Sequence, residues 1–356
     1  MSTLRLKHFL TYCTTKWTAI TFIGFASLCS YTHAQTSSIP RSENGKPSFQ
    51  GNWTNASITR LTKSNAYSGL IIPDSDINSL TESHPQVVRQ KTDDHLDKES
   101  ELLDGTDLSR GRGYNAFWID PGKEYGLVNG TRRSRWITEP KSGDIPYHRN
   151  NSPQNIARGL SNNKILQANR SAAEGPEARS LGERCLISFG GSGGPPMLNT
   201  LYNNTYQFVQ TDDYLMILVE MVHDVRIIPI VDEQTIEKSS AKNNKSIPRW
   251  LGNSIGWWEN DALVVETTNW TPQQLHSRPI YLSKNAIVTE RFKRISSEQI
   301  FYQFTINDPN YYEKTWSGEM SFNTSKGAVF EYACHEGNIG MEGILSGARV
   351  SEQNPK

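Results

Sequence analysis

Four side chains that could do acid–base or binding chemistry lie near the end of a long apolar run. Residues 214–221 are almost all apolar, which predicts a buried central strand. The four side chains at or just beyond its end are Glu220, His223, Asp224 and Arg226. Two-residue alternation places the two carboxylates and the arginine on one face and the histidine on the other. Buried polar groups must be paired, so we predict either a structural Asp–Arg ion pair with a hydrogen-bonded histidine, or a ligand-binding, proton-transferring cluster at a barrel mouth.

A second polar cluster follows the last predicted strand. His335 and Glu336 come directly after Cys334, and a histidine beside a carboxylate can act as a general acid or base near neutral pH. Arg184 is next to the other late cysteine and could hold a carboxylate or an enolate-like oxygen. The alternative is a hydrogen-bonded corner that fixes the end of the chain. Because neither His-x-His nor HExxH spacing occurs, we predict no metal site and no cofactor.

Aromatic residues form a third group, either as core packing or as the lining of an apolar cavity with a few polar groups. The group comprises Trp118, Tyr202, Tyr206, Trp250, Trp257, Trp258 and Tyr332. The candidate catalytic residues are therefore His335, Glu336, Arg184, His223 and Asp224. The candidate ligand-binding residues are Glu220, Arg226, Tyr202, Tyr206, Trp257, Trp258 and Tyr332.

The glycine-rich stretch 190–196 does not indicate a phosphate site. Two prolines follow the glycines where a phosphate-binding helix would begin, and the chain has no P-loop. Ser192 lacks the offset and the following helix of a nucleophile elbow. We interpret the stretch as a tight loop near the sheet, either a plain turn or a place where the glycines permit close backbone approach to a ligand.

Consecutive hairpins position these clusters. Strands are predicted at 206–210, 214–221, 224–230, 256–258, 262–268, 286–295, 300–306, 315–322 and 328–333, with turn residues between them. Such spacing indicates a mainly β protein, an antiparallel meander closed as a lipocalin-like β-barrel, with a β-sandwich as the alternative. We expect one domain over 51–356, in which 51–180 is an irregular, partly helical wrapping region and 181–350 is the strand-rich core.

The first 34 residues have the three parts of a secretory signal peptide. Arg5 and Lys7 precede an apolar run over 17–31, and Thr32-His33-Ala34 fits the small-x-small cleavage rule. We place the cut after Ala34, followed by a flexible leader over 35–50. An uncleaved anchor helix and lipidation are the alternatives. The mature protein is expected in the periplasm or outside a Gram-negative cell, without stable membrane insertion.

Cysteine usage agrees with export. Two of the four cysteines leave with the signal peptide, so the mature chain keeps Cys185 and Cys334. In an oxidising compartment they most simply form one disulfide, and two separate buried thiols are the alternative. The bond would place residues 182–185 against 332–336.

Composition excludes some partners. The chain has 37 basic and 37 acidic residues, so its formal net charge is zero. A neutral balance lacks the basic surface that nucleic acid requires. The expected partner is a small-molecule ligand or substrate.

Several stretches together resemble an uncharacterised family of secreted proteins from proteobacteria and acidobacteria. They include Gly194-Pro195-Pro196-Met197, His223-Asp224-Val225-Arg226-Ile227-Ile228, Leu263-Val264-Val265-Glu266-Thr267-Thr268 and Tyr332-Ala333-Cys334-His335-Glu336-Gly337-Asn338. The resemblance covers most of the chain from about residue 50 onward. It implies a single exported domain and assigns no chemistry.

Three functions agree with these observations. The first is a periplasmic barrel that binds a small, largely apolar molecule. The second is a cofactor-independent isomerase, cyclase, lyase or hydrolase that uses His335 or His223 with Arg184 or Arg226. The third is a structural or partner-binding envelope protein, which would expose an apolar patch.

Overall fold

A computed structural model of the chain describes residues 39–93, 121–149, 173–232, 247–271 and 280–354. All of these ranges belong to one compact unit, Ser37–Lys356. The predicted signal peptide, Trp118 and most of the charged stretch 90–104 lie outside the described residues. In the part of the chain that is described, no helix combines the length and the apolar character needed to cross a bilayer.

Thirteen strands and three α-helices occupy the described residues. The strands are β1 (Gly51–Thr54), β2 (Ile71–Ile72), β3 (Leu127–Val128), β4 (Thr131–Arg133), β5 (Ile137–Glu139), β6 (Thr205–Gln210), β7 (Tyr214–Val219), β8 (Val225–Pro229), β9 (Asn253–Glu259), β10 (Ala262–Thr268), β11 (Ile287–Arg294), β12 (Gln299–Asn307) and β13 (Trp316–Thr324). The helices are α1 (Asp74–Glu82), α2 (Pro85–Asp93) and α3 (Ile339–Gln353).

Nine of the strands form a nearly closed barrel in the order β8-β7-β6-β1-β13-β12-β11-β10-β9. Every neighbouring pair along this path is antiparallel. Because nine is an odd number, the two end strands, β8 and β9, run in the same direction. They meet through a single parallel bridge, in which the Val231 N–H donates to the Gly256 carbonyl at 2.8 Å.

The barrel interior is filled by side chains. Along β12 the inward positions are fully buried and alternate with half-exposed ones, as strand geometry requires. Phe322 packs edge-on against Tyr206 and Tyr302, with ring centroids 5.1 and 5.3 Å apart. Phe292 packs against Tyr302 at 5.1 Å. Aromatic rings therefore occupy the centre that a lipocalin leaves open for its ligand.

The prediction of a mainly β, antiparallel barrel is confirmed, and the sandwich alternative is excluded because the nine wall strands belong to one sheet, with β5 paired to β13. The short strands β2, β4 and β3 form a separate three-stranded sheet. The hairpins β9–β10 and β11–β12 lie where turn chemistry predicted them. The predicted strand over 328–333 is wrong, since that segment has no ladder partner and leads into α3. The wrapping region also contributes more than expected, because β1 pairs with both β6 and β13 inside the barrel wall.

Candidate functional site

A cleft opens where β8 and β9 diverge from their bridge. Its volume is about 790 Å³, and it is lined mainly by residues 223–229 and 248–255, with Glu266 and Thr268 from the end of β10. We call it the seam cleft. It lies at the barrel end where β8 and β9 begin and β10 ends. The cleft therefore exists because the sheet does not close there.

The apolar part of the seam cleft comes from both sides of the gap. Val225 and Ile227 of β8 are exposed outward, at 43% and 63% of their full surface. Trp250 and Leu251 precede β9, and Ile255 lies within it. Exposed aliphatic side chains facing a tryptophan across a concave gap are typical of a site for an apolar ligand.

A buried ion pair lies at the base of the seam cleft. Arg226 points into the barrel, where its two terminal nitrogens bind the two carboxylate oxygens of Glu290, one of them at 3.0 Å. The Tyr302 hydroxyl donates to Glu290 Oε1 at 2.7 Å and accepts from the Met197 N–H at 3.0 Å. Burial acts to lower the pKa of Arg226, but the attraction of Glu290 outweighs it and the pKa is raised. Arg226 therefore stays charged, and its two bonds to Glu290 hold the guanidinium in one orientation.

Two buried polar atoms of residues lining the cleft have no hydrogen-bond partner among the described residues. They are Nε of Arg226 and Oγ1 of Thr268. Arg226 and Thr268 are only 3% and 7% exposed. An unsatisfied buried donor or hydroxyl costs about 1–3 kcal/mol, so each of these residues keeps a polar atom whose hydrogen-bonding capacity no described residue uses.

His223 and Asp224 also line the seam cleft, and each is already attached to a neighbouring segment. The Tyr332 N–H donates to Nε2 of His223 at 3.0 Å, which requires a neutral ring with its proton on Nδ1. The Ser188 N–H donates to Oδ2 of Asp224 at 2.7 Å. A Cβ on Gly193 would lie 2.7 Å from the same oxygen, so the glycine leaves room for the Asp224 carboxylate.

Glu220 lies near these residues but does not line the cleft. Its carboxylate accepts from the Thr205 N–H at 3.2 Å and from the Phe330 N–H at 3.0 Å. The chain reverses between β7 and β8 through a short 3₁₀ turn at Met221–His223. For this reason the alternation argument for one continuous strand does not apply. Glu220 clamps the C-terminal segment onto the start of β6.

The second predicted cluster is assembled but stands apart from the cleft. Cys185 and Cys334 lie at disulfide distance, with Cα atoms 5.8 Å apart. The Asn338 side chain donates to the Glu183 carbonyl at 2.8 Å, so the two segments meet as expected. His335 and Glu336 are exposed, and Arg184 is half-buried. None of the three lines the seam cleft.

Glu183 shows what this corner does. Burial acts to raise the pKa of its carboxyl, but hydrogen bonds from Arg179 and Ser180 overcome burial and lower it. The carboxylate is therefore fully used within its own turn.

The predicted ligand-binding aromatics lie elsewhere in the fold. Tyr206 is fully buried, and its hydroxyl donates to the Ser192 carbonyl at 3.0 Å. Trp258 stacks on Phe49 with ring centroids 5.8 Å apart. Trp257 donates to Glu259 at 3.0 Å on the outside of β9. Tyr202 packs against the core, and Tyr332 contributes its backbone N–H to His223.

Sequence reasoning missed Thr268 and Glu266, which complete the polar part of the seam cleft. They belong to the apolar strand β10, whose pattern indicated burial alone. Trp250 was in the aromatic group but was not selected as ligand-binding. No local sequence signal marks Thr268 and Glu266 as cleft residues, because β9 lies between their strand, β10, and β8.

The chain matches no protein-family profile, no curated protein and no solved structure. Among the described residues, no group of three His, Cys, Asp or Glu side chains is placed to hold a metal ion. Support for a function therefore comes from the geometry of the seam cleft.

Proposed function

We propose that this protein is an exported barrel that binds a small, largely apolar molecule in the seam cleft. The observation that carries the proposal is the pair of partnerless buried atoms, Arg226 Nε and Thr268 Oγ1, on residues that line a concave gap with both apolar and polar walls. A volume of about 790 Å³ lies within the range of roughly 300–1,000 Å³ that is usual for small-molecule sites.

The polar contacts restrict the chemistry of the ligand. Nε of Arg226 can only donate, so it requires an acceptor. Glu290 already balances the charge of Arg226, so a neutral ligand oxygen, such as a carbonyl, ether or hydroxyl, suits Nε of Arg226. Arg249 also lines the cleft and offers a positive charge to a ligand carboxylate. The Thr268 hydroxyl can donate to or accept from a further ligand group.

The proposed location outside the cytoplasm rests on two independent features. The first 34 residues read as a cleavable signal peptide. The remaining cysteines lie at disulfide distance, and such bonds persist in oxidising compartments. N-terminal sequencing of protein from the periplasm should begin at Gln35.

Thr268→Val provides a test whose effects on binding and on stability have opposite signs. The variant removes a buried hydroxyl that has no partner, so the ligand-free protein should gain about 1 kcal/mol of unfolding free energy. The same variant should lower the fraction of protein that carries a bound molecule. Native mass spectrometry of protein purified from the periplasm measures that fraction.

The matched control is Thr324→Val, at an exposed position on β13, which should change neither quantity. Ile227→Asp, which adds a charge to the apolar wall, should also empty the cleft, while Leu201→Asp at an exposed position outside it should not. A wild-type protein with only its bare mass would contradict the proposal.

The enzyme alternative takes its support from backbone strain beside the cleft. Val222 and His223 have φ angles of 60° and 51°, and a positive φ is a genuine outlier for a β-branched residue such as Val222. Strained residues of this kind cluster at functional sites. His223→Gln keeps an acceptor for the Tyr332 N–H but cannot transfer a proton. If the protein converts its bound molecule, this variant should retain binding and lose conversion, as seen by mass spectrometry of the released molecule.

A further inference from the structure

The two edges of the seam carry backbone groups that face the cleft. The Asp224 carbonyl bonds toward β7, whereas the Val231 N–H bonds across the seam to β9. Since successive residues of a strand alternate in the direction of their backbone groups, Val225 and Ile227 direct their N–H and C=O groups into the seam. Neither residue has a backbone hydrogen bond to any described residue across the gap.

The same alternation applies to β9. Gly256 receives the bond from Val231, so Ser254, two residues earlier, also faces the seam. Val225, Ile227 and Ser254 all line the seam cleft. The cleft is therefore bordered on both sides by free strand edges, which are the usual templates for pairing with another extended chain.

The odd number of wall strands also determines the direction that an added strand would take. The nine strands on the path from β8 to β9 form eight antiparallel pairs, so β8 and β9 run parallel to each other. One extra strand between them can be antiparallel to both. A ten-stranded wall of this kind would have only antiparallel pairs over the length of the cleft, and such pairs are slightly more stable than parallel ones.

We infer that the ligand class of the seam cleft is a short peptide in extended conformation, bound as an added strand antiparallel to β8 and β9. This inference rests on the proposed function and specifies its ligand. The five residues of β8 span about 17 Å at 3.4 Å per residue, which limits the bound segment to about four or five residues. Peptide carbonyls are also neutral acceptors of the kind that Arg226 requires.

Side chains on the cleft walls set the preferences of the peptide. Outward-facing positions of the added strand lie beside Ile227 and Ile255, which favour apolar or β-branched residues. Glu266 also lines the cleft and has no ion-pair partner among the described residues. Its carboxylate favours a lysine or arginine in the peptide. Pro229 has no N–H, so the ladder ends there, next to the bridge.

Ile227→Pro tests the added strand directly. The lost N–H faces the seam and takes no part in the ladder with β7, so the barrel should keep its melting temperature. The probe is a pool of acetylated, amidated tetrapeptides that vary at the two central positions. We expect the best peptides to carry Lys or Arg and to bind the Pro variant about tenfold or more weakly than the Ile227→Ala variant.

Ile227→Ala is the matched control, because it loses the same side chain and keeps the N–H. Methylation of a central amide of the bound peptide should weaken binding to the wild type to a similar degree. Equal binding by the Pro and Ala variants, or no binding by any pool member, would overturn the inference. If Thr268→Val empties the cleft of its periplasmic ligand while Ile227→Pro does not, the cleft binds a small molecule without strand addition and only the inference fails.

Discussion

Replacing Glu290 with Gln is expected to lower the free energy of unfolding by about 3–5 kcal/mol. The substitution is nearly isosteric, but it leaves the buried charge of Arg226 without its counter-charge. The carboxylate also accepts the Tyr302 hydroxyl, so one loss affects two partners. Urea unfolding followed by tryptophan fluorescence measures the change.

Two further variants show whether the loss comes from the unpaired charge. The double replacement Arg226→Met with Glu290→Leu should recover most of the stability, because a buried pair replaced by apolar residues of similar size is often neutral. Arg291→Ala breaks the exposed pair with Glu259 and should cost less than about 1 kcal/mol. If Glu290→Gln costs no more than Arg291→Ala, the pair does not have the assigned role.

Replacing Cys334 with Ser is expected to lower the free energy of unfolding by about 2–5 kcal/mol. The bond links residues 149 positions apart, and a cross-link over a long loop restricts the unfolded chain strongly. The segment from Phe330 to Asn338 would then lose its covalent tie and keep non-covalent contacts, among them its hydrogen bonds to Glu220, His223 and Glu183. Limited proteolysis should cut there first.

A reducing agent provides the control for the cysteine prediction. It should destabilise the wild type by a similar amount and leave Cys334→Ser unchanged. An intact mass that shows two free thiols in periplasmic protein, with no response to reductant, would instead support the alternative of two separate thiols.

The buried ion pair accounts for an open cleft in the wall of an otherwise closely packed barrel. Arg226 is the second residue of the edge strand β8, and Glu290 comes from β11, which lies beyond β9 and β10 on the other side of the seam. Their ion pair therefore ties the edge strand β8 to β11 inside the barrel. The gap can then stay open to a ligand without leaving the barrel loose, because the bridge at Gly256 closes the other end.

Local patterns were sufficient for much of the wall. The hairpins β9–β10 and β11–β12 are joined by short turns, so alternation and turn residues determine both their existence and their register. The strand over 328–333 failed for the opposite reason. Residues 328–333 resemble a strand in sequence. In the structure the Phe330 and Tyr332 N–H groups donate to Glu220 and His223 and not to a neighbouring strand.

Sequence patterns alone predicted an antiparallel β protein, two late cysteines close together and a polar cluster near the start of β8. The export signal stays a prediction. Only the tertiary structure decided that β1 completes the wall, that Glu290 is the partner of Arg226, and that Thr268 faces the same gap as Ile227. The physical reason is the distance along the chain over which each kind of signal acts. Alternation and turn chemistry act over a few residues, whereas the seam cleft joins residues more than 40 positions apart, which meet only when the barrel closes.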